Sequence, residues 1–195
     1  MTLTQFLASA GIFEAAVLVA AFAGGWLTGT NPVLKLAWDL RDFGLGLAAT
    51  VPMLILLAIC FLAPSRGLQQ IREFVRGGIG PYLVECRWFE ILLLALLAGV
   101  CEEVFFRGFL YLWLCDWNPV FAVMLSNLLF GAAHAITPFY AMLAAFLGLY
   151  LTALLASDMT PNLLIPITAH SVYDFIAFYV IIFDFRRNCA NESQD

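Results

Sequence analysis

The chain has 195 residues, 63% of them hydrophobic and 12% charged, with a formal net charge of -5. A soluble domain is nearer half apolar and a quarter charged, so an ordinary water-facing surface is excluded, and lipid must solvate the apolar faces instead. Nine Lys and Arg without a basic block also exclude the electrostatic footprint of a nucleic-acid binder.

A helix crosses the hydrocarbon core with about 20 apolar residues. The first such stretch runs from Phe6 to Leu27, interrupted only by Glu14. Met1 to Gln5 lacks the basic start of a signal peptide, so this stretch is read as an uncleaved span. A loop from Thr28 to Asp42 carries Asn31-Pro32 and four charges, and a second span runs from Phe43 to Ala63, ended by Pro64. The longest polar stretch follows, Ser65 to Arg87. Within it Leu68, Ile71, Phe74 and Val75 share one helical face while Arg72, Glu73 and Arg76 are interleaved. That spacing predicts a short amphipathic helix on the membrane surface, broken by Gly77, Gly78, Gly80 and Pro81.

The third span runs from Trp88 to about Leu114, and the fourth from Asn118-Pro119 to about Ala135. Thr137-Pro138 separates it from the fifth, Phe139 to Ala156. Met159-Thr160-Pro161 makes a turn, the sixth span runs from Asn162 to Phe185, and a polar tail closes the chain. The expected fold is all-α: a polytopic transmembrane bundle of about six helices with one interfacial amphipathic helix. It forms a single membrane domain over 1–195, with its chemistry-bearing core at about 88–185. Arg66, Arg72, Arg76, Arg87, Arg186 and Arg187 fall on one side of this topology and only Lys35 and Arg41 on the other. The basic side faces the cytoplasm, which places both termini there. Five scattered cysteines (Cys60, Cys86, Cys101, Cys115 and Cys189) form no CxxC pair and read as inert thiols.

Ionisable residues inside hydrocarbon cost about 2.5 to 3.5 kcal/mol each on insertion scales, so their presence calls for a reason. Glu102, Glu103 and Arg107 stand in the third span, His134 late in the fourth, and His170 and Asp174 in the sixth. Glu103 and Arg107 are four residues apart and share a helical face as an ion pair, while Glu102 points about 100° away. His170 and Asp174 also share a face. At about 1.5 Å per residue, Glu102 lies about 20 Å into its span and His170 about 12 Å from the opposite end of its own. His134 lies closer to the cytoplasmic face by the same count. Asn127 either lines a polar cavity or makes a helix–helix hydrogen bond. Phe105, Phe106, Trp113 and Trp117 read as packing or interfacial belt, Asp184 as interfacial, and Glu14 as a contact with another helix.

These residues carry a resemblance. Glu102-Glu103-Val104-Phe105-Phe106-Arg107 resembles the EExxxR motif of the CAAX protease and bacteriocin-processing (Abi/CPBP) family of intramembrane proteases. Phe130-Gly131-Ala132-Ala133-His134 resembles its FxxxH motif, and His170-Ser171-Val172-Tyr173-Asp174 its third motif, a His followed four residues on by Asn or Asp. The resemblance implies that Glu102 activates water, with His134 working beside it. It implies that Glu103 and Arg107 hold the helix and shape the site. His170 and Asp174 would stabilise the oxyanion or help hold a metal.

Elementary chemistry agrees with a hydrolase: a buried carboxylate can serve as a base, and donors are needed where the carbonyl oxygen gains charge. An ionised Asp174 only accepts hydrogen bonds, so it is protonated, orients His170, or binds a cation. Glu102, His134, His170 and Asp174 could together ligate a divalent cation such as zinc, although no HExxH is present. The function implied is an intramembrane endopeptidase of the bacterial inner membrane, of glutamate or metallo type, with its site enclosed by the last four helices. Its partners would be lipid and a peptide or membrane-protein substrate, prenylated in the CAAX branch, with no nucleic acid. Other readings are a non-enzymatic membrane scaffold or immunity protein of the same fold, or a proton-coupled transporter, against which the lack of an inverted repeat speaks.

Overall fold

A computed structural model describes residues 1–156 and 161–192. The order is α1 (Leu3–Thr28), α2 (Leu40–Leu62), α3 (Arg66–Gly78), α4 (Gly80–Leu83), α5 (Trp88–Glu103), a π-helical segment (Val104–Tyr111), α6 (Leu112–Cys115), α7 (Pro119–Ala133), α8 (Pro138–Ala156) and α9 (Leu164–Glu192). Among the described residues there is no strand, so the architecture is the helical bundle that the composition requires. Four helices are long and apolar enough to cross a membrane: Leu3–Thr28, Leu40–Leu62, Pro138–Ala156 and Leu164–Ala190. A further continuous helical rod runs from Trp88 to Cys115 through α5, the π segment and α6. Large apolar side chains such as Phe13, Trp26, Ile55, Ile59, Met124 and Phe146 stand on the outside, where only lipid can solvate them. The chain is an integral membrane protein.

Local sequence sets the helix ends. The hydroxyl of Thr2 accepts from the Gln5 amide while the Gln5 side chain accepts from the Thr2 amide, a reciprocal cap that starts α1. Asp39 caps α2 and Asn118 caps α7, whose first residue is Pro119. α9 is the central helix, flanked by α2 and α5, while α7 pairs with α8 and α1 lies along α5 and the π segment. α9 starts from a polar hub. The Asn162 amide donates to Ala37 O and Asp42 Oδ2, both at 2.8 Å, and its Oδ1 accepts from the amides of Ala37 and Leu164.

Four details differ from the sequence reading. The third span is not a uniform α-helix, because the turn widens to π geometry directly after Glu103. α3 does bury Leu68 and Ile71, but Phe74 is exposed. Nor are the arginines of α3 simply solvated. Arg72 donates to the carbonyls of Cys60, Phe61 and Ala63 at the end of α2, and Arg76 pairs with Asp184. α9 does not stop at Phe185 but continues to Glu192, with Asn188 donating to the Asp184 carbonyl 2.8 Å away. The turn residues Met159 and Thr160 and the last residues of the tail, 193–195, lie outside the described residues.

Candidate active site

The site is built where the rod from Trp88 to Cys115 meets α7, α8 and α9. Arg107, 1% exposed, projects from the π segment into the interface of α7 and α8. Its Nη1 donates to Glu103 Oε1 at 2.9 Å, its Nη2 to Gly148 O at 2.7 Å and to Asn127 Oδ1 at 3.4 Å, and its Nε to Thr152 Oγ1 at 3.3 Å. The Phe130 ring covers the guanidinium, 4.4 Å from Cζ to the ring centroid. A planar fork with five N–H groups suits this enclosure, where a single ammonium would leave acceptors unmatched. Gly148 is required by the approach: a Cβ there would stand 2.9 Å from Asn127 Oδ1 and 3.0 Å from Arg107 Nη2. Asn127 also accepts from Thr152 Oγ1 at 3.1 Å, so it serves as a helix–helix hydrogen-bonding group. The π segment accompanies this cluster, as wide turns often do at functional sites, and every residue from Phe106 to Leu110 is buried in it.

Glu103, fully buried, joins the structural cation to the polar residues of α9. Its Oε1 receives both Arg107 Nη1 and His170 Nδ1, the latter at 2.8 Å. A carboxylate can only accept, so Nδ1 of His170 carries the proton in this contact. The opposite ring nitrogen, Nε2, stands 3.5 Å from Asp174 Oδ2. The predicted pairs at residues 103 and 107 and at 170 and 174 are thus both present. α5 and α9 meet closely here: a Cβ on Gly99 would collide with the Ser171 side chain.

Glu102 faces the other way, as its 100° offset predicts, and its Oε2 stands 3.7 Å from His134 Nε2. His134 donates from Nδ1 to the carbonyl of Phe130, 2.8 Å away, which leaves Nε2 as an acceptor in the neutral ring. Two acceptors facing each other at this distance do not bond directly. A water donating one hydrogen to each would join them. The Glu102 Oε2 atom is buried and has no protein hydrogen-bond partner.

The ends of the His134 and Glu102 side chains meet, although their positions are 32 residues apart in the chain. α7 has 15 residues and reaches about 22 Å. His134 is its C-cap. The last four helices do not enclose the site alone. A cavity of about 290 Å³ lies against His134, His170 and Asp174, and its far wall comes from α2 and α3, through Met53, Leu57, Leu68 and Phe74. Glu14 is a further acid beside the site. It is buried in α1, its Oε2 has no partner, and it lies within electrostatic range of Glu102, His170 and Asp174. Among the described residues no three His, Cys, Asp or Glu side chains are placed to hold one metal ion. Glu102 stands with His134 and His170 with Asp174, as two separate pairs.

Comparison with protein families matches residues 85–176 to the Rce1-like family, described as type II CAAX prenyl endopeptidase Rce1-like. Comparisons with curated proteins and with solved structures give no match. The matched stretch opens in the turn before α5 and closes two residues after Asp174. It therefore contains both acid–histidine pairs and the arginine cluster, and leaves out α1, α2 and α3. Residues 85–176 are thus similar to the Rce1-like family, type II CAAX prenyl endopeptidase Rce1-like.

Proposed function

We propose that the protein is an intramembrane endopeptidase in which Glu102 and His134 activate a water for attack on a peptide carbonyl. The observation that carries this reading is the pair of facing acceptors, Glu102 Oε2 and His134 Nε2, 3.7 Å apart, with His134 lining a largely apolar cavity. Glu102 takes the proton as the water oxygen attacks. The charge that develops on the carbonyl oxygen needs donors, and His170 supplies them. With Nδ1–H held by Glu103, its Nε2 carries a second N–H when the ring is charged, and Asp174 stabilises that charge and fixes the ring plane. The proton held by Glu102 then passes to the departing amine. The substrate is a membrane-bound peptide, and the apolar cavity suits one bearing a prenyl chain, in keeping with the family description.

A metal-assisted variant has one observation in its favour, the carboxylate of Asp174 where an amide would serve a purely hydrogen-bonding role. Glu102, His134, His170 and Asp174 would hold the ion and leave an open position for water. The residues as they stand do not converge to that geometry among the described part of the chain. Two experiments separate the readings. With the Glu102–His134 pair acting alone, exhaustive chelation leaves cleavage unchanged and Asp174→Asn keeps most of the activity, because an amide can still orient His170. With a bound cation, chelation abolishes cleavage, zinc or a similar ion restores it, and Asp174→Asn loses most of it.

We place the protein in the bacterial inner membrane with both termini cytoplasmic, on the six-to-two bias of Lys and Arg between the two sides. A reporter fused after Asp195 is expected to read as cytoplasmic and one inserted near Pro32 as external. The reverse pattern would invert the topology and put the mouth of the cavity at α3 on the outer face.

A further inference from the structure

The site is rich in acceptors and short of donors. Glu102 and an ionised Asp174 only accept, and neutral His134 has given its one N–H, from Nδ1, to the Phe130 carbonyl. His170 has given Nδ1–H to Glu103, and its Nε2 stands 3.5 Å from Asp174. In the loop after His134, the amides of Ala135 and Ile136 are already taken by the carbonyls of Ala132 and His134. Arg107 lies against the Phe130 ring, held by Glu103, Asn127, Gly148 and Thr152. Acyl-transfer sites aim more than one preorganised donor at the carbonyl oxygen as it gains charge. A single N–H of a charged His170, shared with Asp174, falls short of that.

The cavity wall carries an unused donor. Tyr140 lines the cavity together with His134, His170 and Asp174, and its ring centroid stands 6.5 Å from that of His134. It lies within electrostatic range of both Asp174 and Glu102, one member of each acid–histidine pair. Among the described residues its hydroxyl has no hydrogen-bond partner. Tyr150 on the same helix, by contrast, donates to the Ala49 carbonyl at 2.9 Å. Tyr173 also lines the cavity, but its neighbours are Asp174, Tyr140 and Cys60 of α2, and Glu102 is not among them. The place of Tyr140 is fixed from two sides. Thr137 Oγ1 accepts from its amide at 3.1 Å, which caps α8 beside Pro138. One residue on, α8 packs tightly on α7, because a Cβ on Gly131 would stand 2.5 Å from the Ala141 carbonyl oxygen and 2.8 Å from Ala145 Cβ. The Tyr140 and His134 rings are thus held at a set spacing before substrate arrives.

We propose that the Tyr140 hydroxyl is a second oxyanion donor, a catalytic residue outside the three polar motifs. This rests on the endopeptidase reading above. As the water oxygen bonds to the carbonyl carbon, the C=O π pair moves onto oxygen, and Tyr140 O–H donates to that oxygen beside His170. The phenol keeps its proton throughout. Its hydrogen bond strengthens as the charge develops and relaxes when the C–N bond breaks and the carbonyl re-forms. A neutral phenol suits this wall, because it sets a donor beside two carboxylates without adding another charge to the membrane interior.

The test uses the full-length protein in phosphatidylcholine vesicles, with a peptide bearing a prenylated cysteine as the probe. In Tyr140→Phe, kcat is expected to fall by about 10²- to 10³-fold, the loss for one oxyanion donor, while KM stays within about twofold. Its Tm in detergent should not change, because the lost hydroxyl bonds to no described residue. Two fluorescent analogues of the probe supply a readout that a structural role would not move. A phosphonate at the scissile position carries the charge of the tetrahedral intermediate, and a ketomethylene isostere keeps a neutral carbonyl. Tyr140→Phe should weaken phosphonate binding by a factor close to its loss in kcat and leave ketomethylene binding within about twofold. If that variant folds poorly, a fluorinated tyrosine placed at 140, a stronger donor of nearly the same shape, should tighten the phosphonate by about twofold or more. The proposal is overturned, and the endopeptidase left standing, if Tyr140→Phe keeps kcat within about threefold, or if the fluorinated side chain leaves the phosphonate dissociation constant unchanged. A rise in KM alone would make Tyr140 a substrate-binding group and also overturn it. Loss of kcat in Tyr173→Phe without loss in Tyr140→Phe would assign the donor to the other tyrosine. Wild type that neither cleaves the probe nor binds the phosphonate defeats the endopeptidase reading itself, and this proposal with it.

Discussion

Glu102→Gln is expected to lower kcat by about 10²- to 10⁴-fold, the range that a positioned general base supplies, while the protein stays folded. The two halves of that expectation come from the same geometry. Glu102 Oε2 is buried but makes no hydrogen bond to protein, so an amide of equal size breaks nothing that holds the bundle together. The amide cannot take a proton from water, and its NH₂ would point a donor at the space where water must donate to His134. Thermal unfolding in detergent should shift little, because the change touches no packing contact. His134→Ala should bring a loss of similar size, and the double variant should be little worse than either single one, since the two groups act on one water. Cleavage within about tenfold of wild type in Glu102→Gln would remove this residue as the base and transfer the task to another acid. Glu14, buried within electrostatic range of Glu102, would be the first to test.

How much of this was legible beforehand depends on whether a feature is local in sequence. The pairs Glu103–Arg107 and His170–Asp174 followed from helical spacing, because residues four apart meet whatever the fold around them. The helix spans followed from the length of apolar runs, with their ends marked by Pro, Asn and Gly. The meeting of Glu102 with His134 is different: two positions 32 residues apart are joined only by the packing of α5 on α7, and resemblance to a family suggested it where spacing could not. The π turn left no mark in residue type. Gly148 and Thr152 did leave one. A glycine and a threonine four apart in an otherwise apolar helix mark a face that admits a close neighbour and offers it a hydroxyl, and that face receives Arg107. From the sequence, Arg72 and Arg76 were placed only as interleaved polar residues of a surface helix. That they turn inward depends on where α2 and α9 end, and no local pattern carries that information.

Arg107→Ala is expected to act on folding before it acts on chemistry. Removing one member of a buried ion pair leaves the other as an uncompensated charge, at a cost of about 3 to 5 kcal/mol. Here the orphan would be Glu103, fully buried, with its Oε2 already lacking a partner. Three more acceptors would lose the arginine's N–H at once: Gly148 O, Asn127 Oδ1 and Thr152 Oγ1. Of these, Thr152 and Asn127 keep the bond between them, Thr152 Oγ1 donating to Asn127 Oδ1. The measurement is the yield of folded protein and its Tm in detergent, compared across Arg107→Ala, Glu103→Gln and the double variant. The double variant should be less destabilised than the sum of the singles, because it removes both charges together. Arg107→Lys should recover only part of the loss, since one ammonium cannot serve acceptors on α5, α7 and α8 in one plane. Glu103→Gln carries a second signature that Arg107→Ala lacks in kind. It weakens the acceptor for His170 Nδ1, so it should lower kcat in the fraction that folds, beyond what the folded yield accounts for. Equal yield and equal Tm for all three variants would show that the cluster around Arg107 does not hold the bundle together, and the division between a structural arginine and a catalytic glutamate would fall with it.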